Sequence, residues 1–87
     1  MFDLDAAWRL HPQAALRPES FGALLYHFGT RKLSFLKDRT VVRVVTALPE
    51  YADARTAMGA AGLDDDDDRY LAALTALAES HFLVRAS

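Results

Sequence analysis

The residues of this chain that could do chemistry fall into three groups. Five cations, Arg31, Lys32, Lys37, Arg39 and Arg43, crowd one short stretch; five consecutive aspartates occupy Asp64 to Asp68; and the histidines are His11, His27 and His81. A cationic cluster can steer and register an acidic partner, chiefly through the rate of encounter. It can equally be the charge that keeps a strand edge from aggregating. The aspartates do not make a metal site, because consecutive residues cannot all face one ion and the spaced ligands of a calcium loop are missing. They suit the start of a helix, where the dipole favours anions. The histidines fall on three separate elements with no serine or carboxylate spaced to make any of them a general base, so each reads as a partly buried surface residue. No cysteine is present, which removes disulfides, zinc–thiolate sites, iron–sulfur ligation and thiol nucleophiles. The expectation is a protein that is not an enzyme.

A chain of 87 residues has room for one compact core, so residues 1–87 are expected to form a single domain. So small a domain has little volume for a walled-in active site, and surface binding is the easier task. With 52% hydrophobic and 25% charged residues, it should fold. Neither a signal peptide nor a run of roughly eighteen apolar residues occurs, which reads as a cytoplasmic chain with no membrane partner. The net charge of −2 hides an asymmetry: residues 1–43 carry seven Lys/Arg against four Asp/Glu, and residues 44–87 three against eight. An acidic partner for the front half fits this balance, as does ordinary solvated surface charge.

The elements that must position these groups follow from periodicity. Trp8 to Arg17 reads as one strand interrupted at Pro12. Pro18-Glu19-Ser20 is a turn, and Phe21 to Phe28 is a second strand with Leu24, Tyr26 and Phe28 on one face. Gly29-Thr30-Arg31 supplies a turn with a residue free to take positive φ, and Lys32 to Lys37 alternates as a third strand, closing a hairpin. The period then lengthens: Val41, Val44, Val45 and Leu48 share a helical face behind Asp38 as N-cap, giving a first helix over 39–48 that Pro49 ends. A second short helix fits 53–61, stopped by Gly62, and Tyr70, Leu71, Leu74, Leu77 and Ala78 mark a third over 67–80. Phe82-Leu83-Val84 adds a brief strand or covers the core. The fold class is therefore α+β, a winged-helix-like layout with a three-stranded antiparallel sheet followed by three helices.

The third strand ends this sheet and is followed by a helix, so its outer backbone groups have no obvious partner. An extended peptide could satisfy them by strand addition, with side-chain pockets on the adjoining helix for discrimination. The candidate binding residues are Lys32, Leu33, Ser34, Phe35, Leu36 and Lys37 on the strand, with Arg69, Tyr70, Ala73 and Leu77 on the third helix. Leu71 and Leu74 read as core.

The run Leu16-Arg17-Pro18-Glu19-Ser20-Phe21-Gly22-Ala23-Leu24-Leu25-Tyr26-His27-Phe28-Gly29-Thr30-Arg31-Lys32-Leu33-Ser34-Phe35-Leu36-Lys37 strongly resembles the mycofactocin precursor peptide chaperones, members of the PqqD-like RiPP recognition elements. Similarity extends from Trp8 to about Val84, with the hairpin its most specific part and the acidic run 64–68 a departure. The resemblance implies a domain that binds the leader of a ribosomally made precursor as an added strand beside strand three and against helix three. It also implies delivery of that peptide to a radical S-adenosylmethionine maturase, with no cofactor resident in this chain. Two other classes compete with it. Winged-helix DNA binding is disfavoured because the third helix opens on aspartates and offers only Arg69 to phosphate. A structural module whose edge pairs permanently with another chain remains the other alternative.

Overall fold

The computed structural model describes residues 2–64 and 67–86. Eight regular elements follow in order: β1 (Trp8–Leu10), β2 (Ala14–Glu19), β3 (Gly22–His27), β4 (Lys32–Leu36), α1 (Arg39–Ala47), α2 (Ala54–Ala60), α3 (Asp68–Glu79) and β5 (Leu83–Arg85), with a 3-10 turn over Leu48–Glu50 after α1. The α+β layout is the expected one: a three-stranded antiparallel sheet, order β2-β3-β4, and three helices. The helix bounds differ from the sequence reading by a residue at most ends: Asp38 caps α1 as expected, while Asp53 and Asp67, read as first helical residues, stand just outside α2 and α3 as their caps. Asp38 accepts from the Thr40 N–H at 2.8 Å, Asp53 from that of Thr56 at 2.7 Å, and Asp67 from that of Arg69 at 3.2 Å. Of the aspartate run, Asp67 caps α3 and Asp68 lies in its first turn, while Asp65 and Asp66 fall outside the described residues.

The first strand departs from the sequence reading. Trp8 to Arg17 is not one interrupted strand of the main sheet but two strands in two sheets. β2 pairs with β3, whereas β1 pairs with the C-terminal β5, Trp8 opposite Arg85 and Leu10 opposite Leu83. The break at His11-Pro12-Gln13 is a turn: the Ala14 N–H donates to the His11 carbonyl at 2.8 Å, and the Gln13 N–H to His11 Nδ1 at 2.9 Å. Proline cannot donate to a ladder, so the chain leaves one sheet here and enters the next. The β1–β5 ribbon then closes the end of the core, where Phe2 stacks on Trp8 at 4.4 Å.

Strand alternation decides which side chains reach the core. Ala23, Leu25 and His27 of β3 are buried, as is Leu36 of β4, and the facing helices bury Val41, Val44, Val45, Leu48, Leu74 and Leu77. Leu24, Tyr26 and Phe28 share a face, as the alternation predicts, and it is the outer one. α2 contributes Ala54, Ala57 and Met58, all fully buried. Its first turn is held by the N-terminal segment, since the Ala54 and Arg55 N–H groups donate to the Ala6 and Leu4 carbonyls at 3.1 and 2.9 Å. Helix N-termini otherwise leave such donors unpaired.

His27 corrects the surface reading of the histidines: it is 2% exposed, an inner-face residue of β3. Its Nδ1 accepts the N–H groups of Gly29 and Thr30 at 3.0 and 3.1 Å, while the Arg31 N–H donates to its carbonyl at 2.7 Å. The ring thus shapes the turn that aims β4. Because these bonds fix the earlier turn residues, the positive φ falls on Arg31 (φ 63) rather than on Gly29. Nor are the histidines separate in space. His11 and His27 have ring centroids 4.5 Å apart, and His81 is near enough to act on His11. Among the described residues no group of three or more His, Cys, Asp or Glu could hold a metal ion.

Two measurements probe this frame. Gly22 sits at φ 145, and a Cβ there would drive into the Leu36 carbonyl of β4. Gly22→Ala is expected to lower stability by about 2 kcal/mol or more, read as a shift in the denaturant midpoint. Burial, followed by His27, Arg9 and His81, holds the His11 pKa below its ordinary value. The unfolded chain therefore takes up that proton first, and thermal stability should decline as pH falls below about 6.5, less steeply in His11→Asn.

Candidate functional site

β4 lies at the margin of its sheet, bonded to β3 on one side only. Among the described residues no backbone–backbone hydrogen bond reaches Lys32–Leu36 from outside the sheet, although at its first residue the Lys32 N–H donates to the Thr30 hydroxyl at 3.4 Å. The terminal strand that could have covered this edge is engaged elsewhere, on β1. A row of backbone donors and acceptors therefore faces outward along five residues.

Beside this edge a groove of about 320 Å³ opens between β4 and α3. Phe35, Leu36 and Lys37 form one wall, Arg69, Tyr70 and Ala73 the other, and Asp38 and Val41 the floor where the strand gives way to α1. Asp38 ties the walls together. Burial raises its pKa, but hydrogen bonds from the Thr40 N–H, the Tyr70 hydroxyl, the Val41 N–H and the Thr40 hydroxyl outweigh burial and hold the carboxyl below the usual carboxylate range. One side chain thus caps α1 and interacts with Tyr70 of α3 across the groove.

The groove is lined mainly by apolar side chains, with the Asp38 carboxylate at its floor, and is cationic at its mouth. The Arg69 guanidinium lies over the Tyr70 ring at 4.8 Å, and Lys37 is exposed at the end of β4. Among the described residues no carboxylate pairs with Lys37, Lys32 or Arg31. The remaining cations of the cluster bond neutral acceptors: Arg39 reaches the Ser20 carbonyl at 3.1 Å and Arg43 the Thr40 hydroxyl at 3.4 Å.

Of the residues singled out from sequence, Phe35, Leu36, Lys37, Arg69, Tyr70 and Ala73 come together around the groove. Lys32 and Ser34 belong to the same strand, on its inner side by alternation. Leu33 is 55% exposed and opposite Tyr26 on the outer face of the sheet, away from α3. Leu77 is buried in the core with Leu74, while Leu71 packs against that core half-buried. Helical periodicity gives Leu77 the same face as Tyr70 and Ala73 but not its depth. Asp38 and Val41 were absent from the candidate set, because a capping aspartate and a core valine carry no binding signal in sequence; only the fold brings them to the floor of a cleft.

Chemically this arrangement can accept an extended segment through backbone bonds, seat one or two of its apolar side chains and attract a nearby acidic group. It defines a small α+β domain with an open strand edge beside an apolar groove. Within that class the family is set by similarity: a model of the peptide chaperone MftB family matches residues 7–84, and the chain belongs to that family. It is 64% identical over 84 residues to the peptide chaperone MftB of Mycobacterium tuberculosis, covering 95% of this chain and 77% of that one. The same chaperone of Mycolicibacterium smegmatis is 63% identical, with 95% and 82% covered, and that of Mycobacterium ulcerans 62%, with 95% and 77%. No solved structure gives a significant match.

Asp38→Ala removes the cap of α1 and the carboxylate that faces Tyr70. It should destabilise the protein by about 1–2 kcal/mol at neutral pH. Because the folded pKa of Asp38 is lowered, its contribution exists above the unfolded value and disappears as pH falls through the folded one. The difference between variant and wild type, followed by denaturation at several pH values, should therefore narrow below about pH 4.

Proposed function

We propose that this chaperone captures the leader of the mycofactocin precursor as a fourth strand along β4, seats leader side chains in the groove against α3, and delivers the peptide to a radical S-adenosylmethionine maturase without catalysing a reaction itself. The observation that carries this reading is the unpaired edge of β4 beside a groove that is mainly apolar within and cationic at its mouth. The relatives' description as peptide chaperones agrees with it. The proposed contacts are Lys32 to Lys37 on the strand, Arg69, Tyr70 and Ala73 on the helix, and Leu77 as support from the core beneath.

Magnitudes show why edge and groove are both needed. Four to six added backbone bonds at a net ~0.5–1.5 kcal/mol each give only a few kcal/mol before the leader's ordering cost. Micromolar binding requires about −8 kcal/mol. Burying one or two large apolar side chains at about 1.5–3 kcal/mol each supplies much of the remainder. No second reading is favoured: the exposed positions of α3 are Asp68, Arg69, Ala72, Ala76 and Glu79, one cation against two carboxylates, a poor face for phosphate.

Calorimetric titration with a synthetic precursor leader tests the proposal. Saturable one-to-one binding that weakens with added salt is expected. Ala73→Arg, which fills the groove but leaves the strand edge free, should reduce affinity by about tenfold or more. Binding indifferent to that substitution in a folded variant would place the leader elsewhere.

A further inference from the structure

The outer face of the three-stranded sheet, opposite the core, is a second feature that neither folding nor the groove accounts for. Register places Leu24 beside Phe35 and Tyr26 beside Leu33 on this face. Phe21 leans on Phe35 with centroids 6.0 Å apart, and Phe28 meets Tyr26 edge-on at 4.8 Å. Phe28, Phe35 and Leu33 are 61%, 59% and 55% exposed. Single exposed apolar residues are ordinary, but a contiguous aromatic and aliphatic patch marks an interaction surface.

Its rim is basic. Arg17 stands in register beside Leu24, Arg31 follows Phe28 in the turn, and Lys37 continues the alternation past Phe35. The carboxylate at this rim among the described residues is Glu19, which is already paired with Arg17 at 2.8 Å.

We propose that this outer face docks a protein whose contact patch is apolar at its centre and acidic at its rim, and that this partner is the maturase to which the captured peptide is delivered; only the partner's identity rests on the function proposed above. Charge argues against a second copy, since two such faces apposed would bring their rim cations together. Continuity with the open edge argues for a partner that also meets the peptide. Leu33 and Phe35 belong both to this face and to β4, so a strand added at the edge would widen the same surface. Successive side chains of a strand alternate between faces. Half of those on the added segment would point into the groove, and half would lie level with Leu33 and Phe35. A docked enzyme would then contact sheet and peptide at once, and each would strengthen the binding of the other by the same factor.

The double variant Phe21→Ser/Phe28→Ser removes exposed parts of the patch that belong neither to β4 nor to the residues lining the groove, and a thermal melt checks that it folds. Wild type and variant are titrated with the purified radical S-adenosylmethionine enzyme, with and without leader, and with leader alone. The expected result is a loss of enzyme affinity of about tenfold or more with leader affinity unchanged within about twofold, and a further loss in Arg17→Glu. Tighter enzyme binding to the leader-loaded wild type is also expected. A leader that fails to bind wild type, while enzyme binding persists and the variant abolishes it, would support this docking face and refute the strand-addition reading. The docking face is overturned if the folded double variant binds enzyme like wild type, or if wild type does not bind enzyme at all. It is equally overturned if sedimentation shows a wild-type dimer that the variant dissolves, or if wild type but not variant cosediments with anionic phospholipid vesicles.

Discussion

An unpaired strand edge is the constraint around which this small domain is organised. Exposed backbone donors and acceptors along β4 invite any extended chain, including another copy of the protein. The edge is kept short, five residues from Lys32 to Leu36, with exposed lysines at Lys32 and just beyond it at Lys37. Such charges leave the backbone groups available while discouraging sheet-to-sheet stacking. The C-terminal strand, which could have sealed the edge, instead closes the other end of the molecule against β1.

The parts next to the edge hold it open at a defined width. Asp38 follows β4 almost directly, caps α1 and faces Tyr70 of α3 across the groove, so one carboxylate lies where strand, first helix and third helix meet. At the other end of the strand, His27 bonds the turn through Nδ1 and carries a buried Nε2 that has no hydrogen-bond partner among the described residues. Gly22 lets the neighbouring hairpin pass close under the Leu36 carbonyl. Each device is local, and each acts on where β4 lies relative to α3. A groove built this way is preorganised, which lowers the conformational cost of binding a flexible peptide.

Local patterns were legible in the sequence and long-range pairings were not. The valines of α1, the Asp38 cap and the leucines of α3 announced their helices because amphipathic period and capping chemistry are properties of consecutive residues. The β3–β4 hairpin was equally plain. The fate of Trp8–Leu10 was hidden, since its partner Leu83–Arg85 lies at the other end of the chain and three residues carry no register. His27 looked like a surface residue because composition rules favour that reading. Its inner position follows from the alternation with Ala23 and Leu25. In the site, strand and helix contributions came from pattern, whereas the depth of Leu77, the outward turn of Leu33 and the bridging role of Asp38 depend on packing that no single segment encodes.

Amide hydrogen exchange followed along β4, with and without leader, is the most direct measurement of whether the edge is the binding template. The amides of residues 32–37 that face away from β3 should exchange quickly in the free protein and slow markedly when leader is present, together with protection at the start of α3. Outward amides already slow in the free protein, or unchanged when a leader that demonstrably binds is added, would contradict the account.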